Sequence, residues 1–192
     1  MNQRLIYVVG PSGAGKDSLL LWLRGQAGGQ RALHWARRTI TRADTAGGES
    51  HEGVDLPEFE RLVTSHALAL HWRANGLRYG VRHTELAPLA QQRWVMLNGS
   101  RAHLAQTAQQ YPGMTVLHIT AQAQVLRARL VQRGRETLAA IEARVERSVD
   151  MHAPAGSRFI EIHNNADLAT AGQQLLQALQ ALERWPVDAV DR

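Results

Sequence analysis

The sequence predicts an α/β fold: a central parallel β-sheet flanked by helices, with a small insertion and an arginine-rich lid. Three observations carry that expectation. An apolar, β-branched run at 5–9 leads straight into a glycine-rich loop that opens a helix. Behind it, short apolar runs alternate with helix-period segments, the rhythm of a parallel sheet. One polar excursion, about 37–81, breaks that rhythm and marks the insertion.

In chain order, 5–9 reads as the first and central strand and 16–24 as the helix after the loop. Residues 26–30 form a loop, and 32–36 a second strand entering the polar stretch 37–59. Pro57 suits the first turn of a short helix through Val63. Two strands, 68–72 and 78–81, join through Asn75-Gly76, a hairpin-type turn. Residues 84–92 read as helix, 94–97 as a buried strand, and 102–110 as a helix closed by Tyr111-Pro112-Gly113. A strand at 115–119 precedes a helix at 122–132, stopped by Gly134. Then come a helix at 138–149, a strand at 159–162, and a helix at 168–182 with Asp167 as its N-cap. The tail beyond Trp185-Pro186 reads as frayed.

The loop Gly10-Pro11-Ser12-Gly13-Ala14-Gly15-Lys16-Asp17-Ser18 fits the phosphate-binding pattern G-x-x-x-x-G-K-[ST] everywhere but the last position, where Asp17 stands. Its glycines let successive N–H groups converge on phosphate oxygens, and the helix N-terminus adds more donors. Lys16 reaches the terminal phosphates. It is the only lysine among 22 basic residues, so a chain that otherwise uses arginine takes a flexible ammonium here alone. The loop predicts an ATP site with Mg²⁺. Asp17 is a charged oxygen ligand that could hold the ion where the pattern has a hydroxyl; alternatively it caps the helix dipole and Ser18 is the ligand. Asn98 ends its strand where an aspartate often supplies a second magnesium contact.

Composition narrows the classes. At 192 residues, 44% hydrophobic and 20% charged, the chain suits one globular domain. That domain has a core of about 1–36, 82–126 and 148–185, an acceptor-binding subdomain of about 37–81 and a lid of about 127–147. With no cysteine, disulfides and thiolate chemistry are excluded. No run resembles a signal peptide or a membrane span, so a cytoplasmic chain without a membrane partner is expected. A net charge of +5 suits a small, highly anionic substrate. Dispersed arginines and only 5% aromatics argue against nucleic acid. A homodimer is compatible with these features.

Two arginine clusters stand out. Arg37, Arg38 and Arg42, with Thr39 and Thr41 between them, predict bidentate phosphate binding. His71, Arg73, Arg78, Tyr79 and Arg82 surround the Asn75-Gly76 turn and could line the same pocket, although His71 and Trp72 also suit plain strand packing. Arg127, Arg129, Arg133 and Arg135 crowd the end of one helix, and Arg144 and Arg147 lie on the next. Arg129 and Arg133 share a face and could stabilise a phosphoryl group in transfer. The competing role is pairing with Glu136, Glu142 and Glu146.

These motifs, in this order and spacing, resemble the guanylate kinase family of P-loop kinases over nearly the whole chain: the loop, TITR (39–42), GVDLPEFERLV (53–63), LHWRANGLRYGV (70–81), LRARLVQRGR (126–135) and IHNNADL (162–168). The resemblance implies that Arg42 contacts the acceptor phosphate, that Arg129, Arg133 and Arg144 join Lys16 in catalysis, and that Asn165 lies near adenine. Departures from that family fall on its guanine-reading positions, occupied here by His71 and Val81, and on its second phosphate arginine, here Thr45. Neither imidazole nor valine supplies a carboxylate for guanine N–H groups.

The Asp-bearing loop together with ITR, the stretch 70–81 and LNGSRAHL (97–104) is closer to the ribose 1,5-bisphosphate phosphokinases linked to bacterial phosphonate breakdown. That resemblance implies transfer of the ATP γ-phosphoryl group to ribose 1,5-bisphosphate, giving 5-phosphoribosyl 1-diphosphate. Arg38, Arg42, His71, Arg78, Tyr79 and Arg101 would then bind the sugar phosphate, in a pocket without a carboxylate and without a general base. The alternatives are a nucleoside monophosphate kinase of altered base preference and a non-catalytic nucleotide-binding module. A nucleic-acid-dependent ATPase is suggested by the basic pI alone.

Overall fold

In a computed structural model of the chain, the described residues are 3–26, 33–44, 49–134, 137–146 and 151–186. Nine strands and seven α-helices are found among them: β1 Leu5–Val9, α1 Lys16–Gln26, β2 Leu33–Ala36, β3 Thr39–Ile40, β4 Glu52–Gly53, α2 Leu56–Thr64, β5 Leu68–Ala74, β6 Leu77–Arg82, α3 His83–Leu86, β7 Trp94–Asn98, α4 Leu104–Gln110, β8 Thr115–Thr120, α5 Ala123–Arg133, α6 Leu138–Glu146, β9 Arg158–His163 and α7 Leu168–Gln180. A central parallel sheet has the order β2-β7-β1-β8-β9, with β1 in the middle. Every residue of β1 is buried, as its uninterrupted apolar run requires.

The chain divides into two compact units: residues 1–7 with 31–114, and residues 8–30 with 115–192. The proposed acceptor subdomain (37–81) falls in the first and the proposed lid (127–147) in the second.

In the first unit, β2 and β7 pair in parallel, Leu33 opposite Trp94 through Ala36 opposite Leu97. A second sheet has the order β4-β3-β6-β5. Its hairpin, β5–β6, turns on Asn75 (φ 50°) and Gly76 (φ 75°), the two left-handed residues a tight hairpin needs. Opposite each other in the register, Trp72 and Tyr79 stack with ring centroids 5.6 Å apart. Helix α2 is capped by the Asp55 carboxylate, which accepts from Glu58 N at 2.8 Å, and buries Phe59 and Leu62 against Leu68.

In the second unit, β8 and β9 pair in parallel. Helix α7 opens at Asp167, whose carboxylate accepts from Thr170 N and Oγ1 at 2.9 and 2.7 Å. Its Gly172 lies on the Trp22 indole of α1, so close that a Cβ would come within 2.5 Å of the ring.

Several boundaries differ from the sequence expectation. Residues 84–92 are not one helix. Pro88 has no N–H to donate, so α3 stops at Leu86 and a 3₁₀ turn, Ala87–Gln91, ends on left-handed Gln92. Residues 101–103 form a 3₁₀ turn ahead of α4, with no side chain capping it. Strands β3 and β4 have two residues each, too short to show a period. The expected helix 138–149 is α6 through Glu146; its last residues lie outside the described ones.

Candidate active site

The glycine loop lies in the second unit, between β1 and α1. Gly10 has φ 154°, and a Cβ there would stand 1.9 Å from the Ile119 carbonyl oxygen, so only glycine lets β1 turn out beside β8. Gly13 and Gly15 are left-handed at φ 87° and 81°. Lys16 folds back over the loop, its Nζ donating to the carbonyls of Gly10 at 2.9 Å and Pro11 at 3.0 Å.

Asn164, 3% exposed, braces the loop from β9. Its Nδ2 donates to the Ala14 carbonyl at 2.8 Å, and its own N–H donates to the Thr120 carbonyl, also at 2.8 Å. A Cβ on Gly15 would meet Asn164 Nδ2 at 2.4 Å. Asn165, the expected adenine neighbour, accepts through its amide oxygen from Gln122 N at 2.7 Å, at the start of α5.

A pocket of about 290 Å³ is lined by Gly13, Gly15, Ser18, Arg129, Arg133, Asn164 and Leu168. Arg129 Nη1 is buried there with no hydrogen-bond partner, a cationic donor close to Gly15. Of the expected lid cations, Arg129 and Arg133 line this pocket; half-buried Arg144, on α6, does not. Arg127 takes the competing role, pairing with Glu142 at 2.6 Å and tying α5 to α6. Arg135, Glu136 and Arg147 lie outside the described residues.

Asp17 and Ser18 are both exposed in the first turn of α1, and Ser18 lines the pocket. Among the described residues no group of three or more His, Asp or Glu could hold a metal. One or two side-chain oxygens at a phosphate loop nevertheless suit Mg²⁺, which keeps most of its shell for phosphate and water.

The acceptor-side residues are in the first unit. The Arg38 guanidinium sits over the Tyr79 ring at 5.0 Å and forms an ion pair with Glu49. The other Glu49 oxygen accepts from Asn98 Nδ2 at 2.9 Å. Arg42 reaches His51, Nη2 to Nδ1 at 3.5 Å, and Gly53 passes so close to the Arg42–Asp44 backbone that a Cβ would meet it at 2.7 Å. Arg78 pairs with Glu60 at 3.3 Å and donates its N–H to Thr41 Oγ1. His71 is exposed on β5, on the face opposite Trp72. Arg101 is half-buried in the 3₁₀ turn before α4. Thr45 lies outside the described residues.

Nearby carboxyls are tuned by their donors. Burial alone would raise the Glu85 carboxyl, but the Arg37 N–H and the His34 ring outweigh it and hold it below the usual range. Glu52 is held low chiefly by the Arg82 guanidinium at 2.7 Å, against burial, with help from the Thr39 hydroxyl.

Sequence reasoning missed four contributors. Glu49 puts a carboxylate among residues expected to lack one. His51 carries no motif of its own, and Asn164 lies in IHNNADL beside the asparagine that was singled out. Tyr7 reads as strand core, yet its hydroxyl accepts from Ser100 N at 2.9 Å while its ring covers Gly99, where a Cβ would come within 2.1 Å. The stretch 98–100 was a signal for this: a polar Asn-Gly-Ser turn directly after a buried strand.

Over 183 residues the chain is 44% identical to the ribose 1,5-bisphosphate phosphokinase PhnN of Pseudomonas fluorescens, covering 93% of this chain and 96% of that one. The chain belongs to this kinase family. The Azotobacter vinelandii member is 43% identical over 182 residues, covering 94% and 97% of the two chains. No family model matches. Among solved structures, guanylate kinase from Anaplasma phagocytophilum shares the fold, with a TM-score of 0.57 at 18% identity over 92% of this chain and 84% of that one. A sugar kinase from Janibacter has a TM-score of 0.51 at 16% identity, covering 93% and 95%. The chain is therefore a phosphotransferase with the α/β fold of the P-loop kinases. Among the described residues no helix is long and apolar enough to cross a membrane.

Proposed function

We propose that the chain transfers the γ-phosphoryl group of ATP to the 1-phosphate of ribose 1,5-bisphosphate, forming 5-phosphoribosyl 1-diphosphate and ADP. The observation that carries this reading is family membership over almost the full length. The donor set supports it: a lysine-bearing glycine loop and a buried arginine donor around one pocket. So does the acceptor set: Arg38 lies over the Tyr79 ring, Arg42, Arg78 and Arg101 belong to the same unit, and no base-reading acid stands at His71 or Val81. The product's further metabolism in phosphonate breakdown, and a cytoplasmic setting, belong to the same reading.

In the transfer, an oxygen of the 1-phosphate attacks the γ-phosphorus while the bond to the β–γ bridging oxygen breaks, and ADP leaves. The attacking oxygen is already ionised at neutral pH, so no general base is needed. Loop N–H groups from 10 to 18 bind the donor phosphates, and Lys16 leaves the Gly10 and Pro11 carbonyls to take the terminal ones. Arg129 and Arg133 supply cationic donors to the group in transfer; Arg144 completes the set in the family's pattern. Asp17 or Ser18 would hold Mg²⁺, which would neutralise phosphate charge. Asn165 stands by the adenine, and Arg38, Arg42, His71, Arg78, Tyr79 and Arg101 hold the sugar phosphate.

An ADP-release assay with Mg²⁺-ATP, offering ribose 1,5-bisphosphate and GMP in parallel, tests the reading. Turnover of the sugar bisphosphate with a diphosphate signal at C1 by phosphorus NMR is expected. Turnover of GMP alone would make the chain a nucleoside monophosphate kinase instead.

A further inference from the structure

Ribose 1,5-bisphosphate carries two kinds of polar group. Its phosphates accept hydrogen bonds and suit arginine; its ring hydroxyls also donate, and a buried site must offer them acceptors. The first unit is rich in donors, and four of its glutamates are engaged by arginine. Glu49 accepts from Arg38, Glu52 from Arg82, Glu60 from Arg78 and Glu85 from Arg37.

His51 differs. It is 6% exposed, and its Nε2 is buried without a hydrogen-bond partner. Its Nδ1 lies 3.0 Å from the Glu49 carbonyl oxygen, which can only accept, and 3.5 Å from Arg42 Nη2. The shorter contact fixes the tautomer: Nδ1 carries the proton and donates it to the carbonyl. In that tautomer Nε2 is the acceptor nitrogen, on a ring that touches Arg42 through Nδ1 and lies two residues from the carboxylate that Arg38 and Asn98 hold. His103 also has a buried Nε2 without a partner, but its ring is stacked on Trp72.

We infer that His51 Nε2 accepts a hydrogen bond from a ring hydroxyl of the sugar acceptor and makes the site selective for ribose over deoxyribose phosphates. The inference rests on the proposed reaction and names what reads the sugar once arginines hold its phosphates. A site built to pair a substrate hydroxyl rejects the analogue that lacks it, because the buried acceptor is then left unpaired.

Steady-state kinetics with ribose 1,5-bisphosphate and its 2-deoxy and 3-deoxy analogues test it, in wild type, His51→Phe and His51→Gln. Wild type is expected to prefer ribose over at least one analogue by about 10²-fold or more in kcat/KM. In His51→Phe that preference collapses to within about fivefold, with the loss on the ribose substrate. His51→Gln, whose amide oxygen can accept in the place of Nε2, recovers part of it. Preference unchanged in His51→Phe, or all three sugars impaired equally by both variants, overturns the inference. A wild type inactive on ribose 1,5-bisphosphate overturns the proposed reaction instead, which separates the two failures.

Discussion

Asp17 is the residue at which this loop departs from the commoner hydroxyl. It is exposed in the first turn of α1, next to Ser18, which lines the donor pocket. A carboxylate there brings a full negative charge to a hard cation; a hydroxyl brings only a dipole. Replacing Asp17 by Ser is expected to raise the Mg²⁺ concentration for half-maximal activity about tenfold, with KM for the sugar acceptor little changed. A magnesium titration at saturating ATP checks this, and an unmoved midpoint would leave Ser18 as the ligand. The solitary acceptor nitrogen of His51 belongs to the same scale. Each proposal turns on one atom's chemistry rather than on the fold around it.

At the scale of elements, β9 does more than complete a sheet. It ends just before Asn164, which grips the loop at the Ala14 carbonyl and fills the space a side chain on Gly15 would need. Asn164→Leu removes that donor and leaves the carbonyl buried, at a cost of about 1–3 kcal/mol. ATP affinity measured by calorimetry is expected to weaken about tenfold while the melting temperature falls by only a few degrees. The strands, the loop and the helix caps were legible in the sequence because each follows a local rule: an apolar run for β1, glycines before Lys16, Asp167 before α7. Asn164 was not, since adjacent asparagines in IHNNADL look alike and only β9 pairing decides which one turns inward. Glu49 and His51 escaped for a related reason. They lie just before β4, a two-residue strand that exists only through its pairing with β3.

For the whole molecule, stability should fall with acid in two stages. Burial, and then the charge of His71, hold the His103 ring below the ordinary histidine value. The unfolded chain thus takes up that proton first, and stability drops as pH falls through the ordinary histidine range toward the folded value. Glu52 and Glu85 are held low in the folded state. Their contribution is complete above the usual carboxylate range and is lost as pH falls through their folded values. Melting temperature followed from pH 8 to 3 is expected to show both descents. His103→Phe, which keeps the stack on Trp72, should flatten the upper one alone. Glu52→Gln should flatten only the lower.

The lone lysine has a consequence for chemistry done on the protein from outside. Its ammonium rests on two loop carbonyls, and no other side chain in the sequence carries a primary amine. Reagents that acylate or alkylate side-chain amines therefore have one address, at the head of the phosphate loop. The extent of reaction at Lys16, read apart from that at the α-amine, becomes a gauge of how often Lys16 lifts away from Gly10 and Pro11.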